Sequence, residues 1–277
     1  MIQTSYITSM KIVISVFKKN RRIVTRAYPW SFIWSRVSCA VFALLAPLLL
    51  YYFVFKNSLS TSYIEFSNGC NYLNYIVLGQ VLNVLSFSTL MNVGRCLITE
   101  QREGTLENFL LSPASRFYYY IGTYIEQFGR SLMEATLVLI FGFIVGVRID
   151  ISFIPSICFC IIFSSIAFFS LSILVSTIMI YFRDTYLVQN TLFLIMSCIC
   201  GVVFPIEYFP KGLQILSQLF PLTYSLKLIR QCSVGTFSIQ DSYLDIFIII
   251  CMSVIYFFIG YIGFRKYETK LIEDVLA

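Results

Sequence analysis

Long charge-free apolar runs alternate along the chain with short polar stretches. Six runs stand out, at residues 37–55, 72–94, 135–147, 151–182, 185–206 and 246–264. A helix rises about 1.5 Å per residue and a bilayer's hydrocarbon core is about 30 Å thick, so roughly 20 apolar residues cross it. The third run is the shortest and needs the preceding turns around Ser131 to cross. The runs are continuous and do not alternate with period two, which favours helices over a barrel. The pattern predicts an all-α membrane protein of six transmembrane helices, with residues 1–36 ahead of the spans, 37–264 as the transmembrane domain and 265–277 as a tail.

Composition points the same way. Of 277 residues, 58% are hydrophobic and 12% charged, and the mean hydropathy is +0.81. A soluble domain needs a more charged exterior than that. The first long run follows a basic stretch too long for the head of a signal peptide, so span one is expected to stay as an anchor. There is no histidine, which removes the commonest general base and the commonest metal ligand. No catalytic or metal-binding residue is expected in the chain.

Basic residues set the expected orientation. Lys11, Lys18, Lys19, Arg21, Arg22, Arg26 and Arg36 precede the first span with no acid among them. By the positive-inside rule that end is cytoplasmic. Six spans return the C-terminus to the same side, where Arg265, Lys266 and Lys270 lie. Thirteen basic residues then fall inside against five outside. Within the N-terminal segment Val13, Val16, Phe17, Val24 and Ala27 share one helical face, and Lys11, Ser15, Lys18, Arg22 and Arg26 the other. This predicts an amphipathic helix on the inner membrane surface, ended or bent at Pro29.

Most of the nine cysteines lie in apolar runs, where small packing residues are expected. Cys158 and Cys160, like Cys198 and Cys200, point about 200° apart on a helix, so neither pair chelates an ion. Cys70 and Cys232 fall in external segments, where a disulfide between them is one arrangement.

Three segments go beyond membrane crossing. Between spans two and three the chain carries Glu100, Glu103, Gly104, Thr105, Leu106, Glu107, Phe109 and Leu110, stopped by Pro113. Thr105 is placed to cap a short helix, Glu107 lies in its first turn, and Leu106, Phe109 and Leu110 form an apolar face. A short amphipathic helix of this kind suits docking of a partner. The second segment holds Phe204, Pro205, Pro210, Phe220, Pro221 and Tyr224, followed by Arg230. Three prolines do not fit one continuous helix, and irregular backbone at membrane depth persists where protein or a water cavity surrounds it. The third is Arg183–Asp184, after Phe182. In addition, Glu126, Arg130 and Glu134 are spaced by four at the start of span three. They share a face there and pair at i,i+4, near the cytoplasmic entrance.

The run Glu-Gly-Thr-Leu-Glu at 103–107, followed by Leu-Leu-Ser-Pro-Ala-Ser-Arg at 110–116, resembles the cytoplasmic signature of the type-2 ATP-binding-cassette (ABC) exporter permeases. The Gly201–Ile206, Phe209-Pro210 and Phe220–Tyr224 segments with Arg230 are similar to that family's external segment between spans five and six. The flavour is that of the drug-resistance and nodulation-exporter branch. Arg183–Asp184 is similar to a loop motif of the polysaccharide and teichoic-acid branch. The resemblance implies a bacterial cytoplasmic-membrane permease that pairs with a second copy or a homologue, amid membrane lipids. It implies two separate ATPase subunits that bind ATP and Mg below. The stretch at 105–111 would be the coupling helix, and residues 205–224 two short re-entrant helices forming an outer gate.

No Gly-x-x-x-x-Gly-Lys-Ser/Thr loop is present, so the chain does not hydrolyse ATP by that route. The aromatic-rich, sparsely charged spans suit an amphiphilic cargo: a drug, an antimicrobial peptide or a glycolipid. The competing readings are a lipid-modifying membrane enzyme using Glu126, Glu134 or Arg183–Asp184, and a scaffold or channel without an ATPase. Nucleic acid is not an expected partner, because the basic excess serves membrane anchoring.

Overall fold

A computed structural model describes residues 2–27, 29–54, 70–105, 116–148, 150–182, 185–235 and 239–276. Ten α-helices are described: α1 Ile2–Ala27, α2 Pro29–Leu49, α3 Tyr72–Gly94, α4 Cys96–Arg102, α5 Arg116–Val145, α6 Ile154–Phe182, α7 Thr185–Ile199, α8 Lys211–Ser217, α9 Pro221–Val234 and α10 Ile239–Leu276. Among the described residues there is no strand.

Five of the described helical segments are long and apolar enough to cross a membrane: Trp34–Phe53, Tyr72–Arg102, Arg116–Val145, Ile154–Phe182 and Ser242–Lys266. The second expected span matches α3. The first begins earlier than its apolar run, because Pro29 occupies the first position of α2, where its missing N–H costs nothing. Pro47 interrupts the backbone ladder farther along, and the helix widens into a π turn at Leu50–Val54.

Three boundaries differ from the sequence reading. The third span extends well ahead of its apolar run as the 30-residue helix α5, which carries Glu126, Arg130 and Glu134 in its middle. Pairing of Glu126 with Arg130 and of Glu134 with Arg36 of α2 accommodates these charges in an otherwise apolar helix. The expected fifth span, 185–206, stops at Ile199. Fifteen residues rise only about 22 Å. The stop is local: Gly201 takes a φ of 80°, a left-handed conformation that glycine adopts without a Cβ clash. The last helix runs through the expected tail as far as Leu276.

Helix α3 is the axis of the bundle, in contact with α5, α6 and α9 and more lightly with α2 and α7. The broadest contact joins α6 to α10. It is close because Gly260 offers no side chain: a Cβ there would sit 2.6 Å from the Leu174 nitrogen. Thr177 uses the gap to donate a 3.0 Å hydrogen bond to the Gly260 carbonyl. Helix α1 packs against α5 through Val16, at a point where Gly122 leaves no room for a Cβ beside the Val13 carbonyl.

Candidate functional site

The region that departs most from plain crossing helices lies at the N-terminal end of α3. After α7 the chain turns through residues 200–204, makes a 3₁₀ turn at Ile206–Tyr208, and enters α8 and then α9. Each proline stands where a helix begins. Pro205 and Pro210 precede the 3₁₀ turn and α8 in extended conformations, and Pro221 is the first residue of α9. Pro205, Pro210, Phe220 and Pro221 therefore set the breaks of a turn–helix–helix unit. Side chains staple it: Gln214 Nε2 donates to the Phe209 carbonyl at 2.8 Å, Thr223 Oγ1 to the Ser217 carbonyl at 2.7 Å, and the Tyr256 hydroxyl of α10 to the Leu219 carbonyl.

Helix α9 holds this unit onto the bundle. Leu222, Leu226, Leu228, Ile229 and Cys232 are fully buried, against α6, α10 and α3. The turn before it leaves carbonyls that no helix satisfies. Arg230 Nη2 donates to the Gly201 carbonyl at 2.8 Å and to the Val202 carbonyl at 3.2 Å. The Tyr75 hydroxyl donates to Gly201 as well, at 3.2 Å, and the Arg230 guanidinium lies 3.3 Å from the centre of the Tyr75 ring. Gly79 completes the fit, since a Cβ there would lie 2.3 Å from the Val202 carbonyl oxygen. The irregular turn is thus clamped between α3 and α9, as backbone away from water requires.

Beside the clamp is a cavity of about 280 Å³, lined by Tyr75, Glu207, Gln214, Tyr224, Lys227 and Asp245 among others. An ion pair, Lys227 to Asp245 at 2.9 Å, ties α9 to the start of α10. Ser242 Oγ adds a 2.9 Å hydrogen bond to Gln231 Oε1. Burial pushes the Tyr224 phenol above its ordinary value.

The charged ladder of α5 is split between two partners. Arg130 Nη2 meets Glu126 Oε2 at 2.7 Å along the same helix. Glu134 instead takes Arg36 of α2 at 2.8 Å and accepts a 2.9 Å hydrogen bond from Ser88 Oγ of α3. The ladder therefore joins three helices. Both carboxylates are engaged by guanidinium groups.

At the C-terminal end of α3 the stretch from Glu100 to Thr105 has a defined build. Gly104 is left-handed at φ 70°, its N–H bonds the Gln101 carbonyl at 3.2 Å, and the Thr105 N–H bonds the Glu100 carbonyl at 3.0 Å. This is the Schellman stop of helix α4, and it explains the Glu-Gly-Thr sequence. The Thr105 hydroxyl turns back to the Glu100 carbonyl and carboxylate. It closes the preceding helix, and the helix it was expected to cap lies outside the described residues. Glu100 is buried and also engages Lys19 of α1 and the Tyr119 hydroxyl at 2.8 Å, whereas Glu103, Gly104 and Thr105 are exposed. Leu106, Glu107, Phe109 and Leu110, and the Arg183–Asp184 pair, lie outside the described residues. A second cavity at this end, of about 330 Å³, has Arg116, Tyr120, Phe264 and Arg265 in its wall.

Cys70 and Cys232 do not face each other. Cys70 Sγ lies 3.7 Å from Ser233 Oγ, and Cys232 Sγ lies 3.3 Å from the sulfur of Cys160 in α6. Among the described residues no group of three metal-ligating side chains occurs.

The apolar spans, the buried ionic links and the clamped turn define a multi-pass α-helical membrane protein. The chain belongs to the ABC-2 type transporter family, whose family model matches residues 13–234. Membership makes it a permease component of a transporter and implies association with an ABC ATPase. No curated protein matches the chain.

Tyr75, Gly79, Lys227 and Asp245 carry the geometry of the clamp and cavity, yet sequence reasoning did not single them out as site residues. Tyr75 and Gly79 lie within a uniform apolar run, and a turn whose Gly201 is 126 residues from Tyr75 leaves no local mark. Asp245 carried a usable signal, being an acid at the edge of the last apolar run, and Lys227 is an opposite charge in the segment before it.

Proposed function

We propose that the chain is the membrane permease of an ATP-driven exporter that moves an amphiphilic substrate out across a bacterial cytoplasmic membrane. The family match over residues 13–234 carries this reading. Both termini lie in the cytoplasm, by the basic bias of the sequence. Two permease domains pair, and two ATPase subunits dock below them. The stretch at 105–111 is the coupling helix, and the rigid Schellman stop before it transmits its movement to α4. ATP and Mg belong to the ATPases.

The outer gate is the 205–224 unit, held by the Arg230 clamp. Closure of the ATPases moves the coupling helices, the two membrane domains repack, and the substrate passes between them. Irregular backbone held by the Arg230 clamp, one ion pair and a set of single hydrogen bonds supports a gate, because such polar contacts exchange one at a time. A carboxylate enzyme is disfavoured by the guanidinium partner on Glu126 and on Glu134.

Reconstitution of the permease with its ATPase, at matched expression, tests the reading. Replacing Pro205 and Pro210 together by Ala removes the breaks at which the 3₁₀ turn and α8 begin and displaces Phe209 between them. Membrane insertion is expected to stay normal, while stimulation of ATP hydrolysis by amphiphiles falls severalfold. Wild-type stimulation in the double variant removes the gate from the account.

A further inference from the structure

We infer that Cys160 and Cys232 are a redox-convertible pair whose disulfide pins helix α9, and with it the gate, to helix α6. The two sulfurs lie 3.3 Å apart on different helices. That is van der Waals contact, and a disulfide needs a further approach of little more than 1 Å. Both residues are fully buried, so no alternative thiol or solvent group competes for either sulfur from outside.

The helices are already in the register the bond requires. One turn beyond Cys232, Gly235 ends α9 at φ 79°, and the Phe153 ring at the foot of α6 presses on it, so that a Cβ there would lie 2.5 Å from the ring. Phe153 against Gly235 and Cys160 against Cys232 therefore fix the same interface at two points. Cys70 is held elsewhere. Its sulfur faces Ser233, whose side chain leaves α9 about 100° round from that of Cys232.

Oxidation forms one S–S bond and releases two protons and two electrons. A small lipid-soluble quinone accepts them and becomes the quinol, since a protein disulfide cannot form the mixed disulfide with sulfurs this buried. The bond itself depends only on the geometry. Its consequence follows from where α9 sits: the helix carries Lys227 and Arg230, so tethering it restrains the ion pair and the clamp together.

The test uses the purified full-length protein treated with diamide, which takes up two hydrogens as two thiols join. Remaining thiols are alkylated in denaturant and the peptides mapped. The expected result is a fall of two from the nine free cysteines, with Cys160 and Cys232 in one linked peptide that reductant separates and Cys160→Ser abolishes. Amide exchange across residues 221–234 should slow about tenfold or more in the oxidised form and recover on reduction. Recovery of both cysteines as alkylated peptides overturns the pair, as does a link between Cys232 and Cys70. Unchanged exchange in a linked protein overturns the pinning.

Discussion

Helices α3 and α10 both qualify as membrane spans, yet 83% of the apolar window of α3 is buried inside the bundle and only 11% of that of α10. The buried helix is the more polar. It packs Gln80, Asn83, Ser86, Ser88 and Thr89 inward, while α10 turns Phe247, Ile250, Ile255, Phe258, Ile259 and Ile262 outward. In water this arrangement would be inverted. In lipid it is the economical one, because the surroundings are as apolar as any core and polar groups need protein partners. The contrast separates two uses of hydrophobicity. In α10 it matches the bilayer, and in α3 it fills the spaces between hydrogen-bonded positions.

The ionic link between α2, α5 and α3 offers the strongest way to break this comparison. Glu134→Leu alone removes the carboxylate that Arg36 and Ser88 share and should cost about 3–5 kcal/mol. The double variant Arg36→Met, Glu134→Leu should recover most of that. Denaturant unfolding in mixed micelles measures both. Equal losses in the single and double variants would mean the pair does not hold the helices together.

The next effect concerns the outer face. Ile255→Arg on α10 should lower membrane-integrated protein, by about 2.5–3.5 kcal/mol of insertion free energy, while Ile255→Leu changes nothing. If the arginine is tolerated, this face does not meet apolar surroundings.

A smaller change of opposite sign sharpens the contrast. Gln127 of α5 is fully buried, and among the described residues neither polar atom of its side chain finds a hydrogen-bond partner. Gln127→Leu should stabilise the protein by about 1 kcal/mol, since an unsatisfied buried amide is costly. Destabilisation would reveal a hydrogen-bonding role.

Much of this was legible in the sequence. The run at 72–94 is α3 to the residue, and the prolines at 205, 210 and 221 mark the helix starts they were expected to disturb. The Glu126–Arg130 pair followed from spacing. What stayed hidden depends on contacts between distant segments. Glu134 looked like a third rung of a local ladder, but its partners Arg36 and Ser88 come from two other helices. The shortness of α7 was masked by apolar residues continuing beyond it, and only the left-handed Gly201 marked the break. Thr105 reads as an N-cap by residue type, and its bond back to Glu100 across the left-handed Gly104 left no mark that residue type alone reveals.

Partnership with an ATPase at the Glu100 end is the centre of the account, and affinity isolation of the tagged chain from native membranes measures it directly. The wild-type chain should bring down a phosphate-loop ATPase that hydrolyses ATP. Glu107→Lys, at the acidic start of the coupling stretch, should reduce that recovery at least about tenfold at equal membrane expression, the size of effect typical of a single interface hot spot. The clamp variant Arg230→Gln, at the far end of the bundle, should leave recovery unchanged. Isolation without any ATPase, or full recovery with Glu107→Lys, contradicts docking at that stretch.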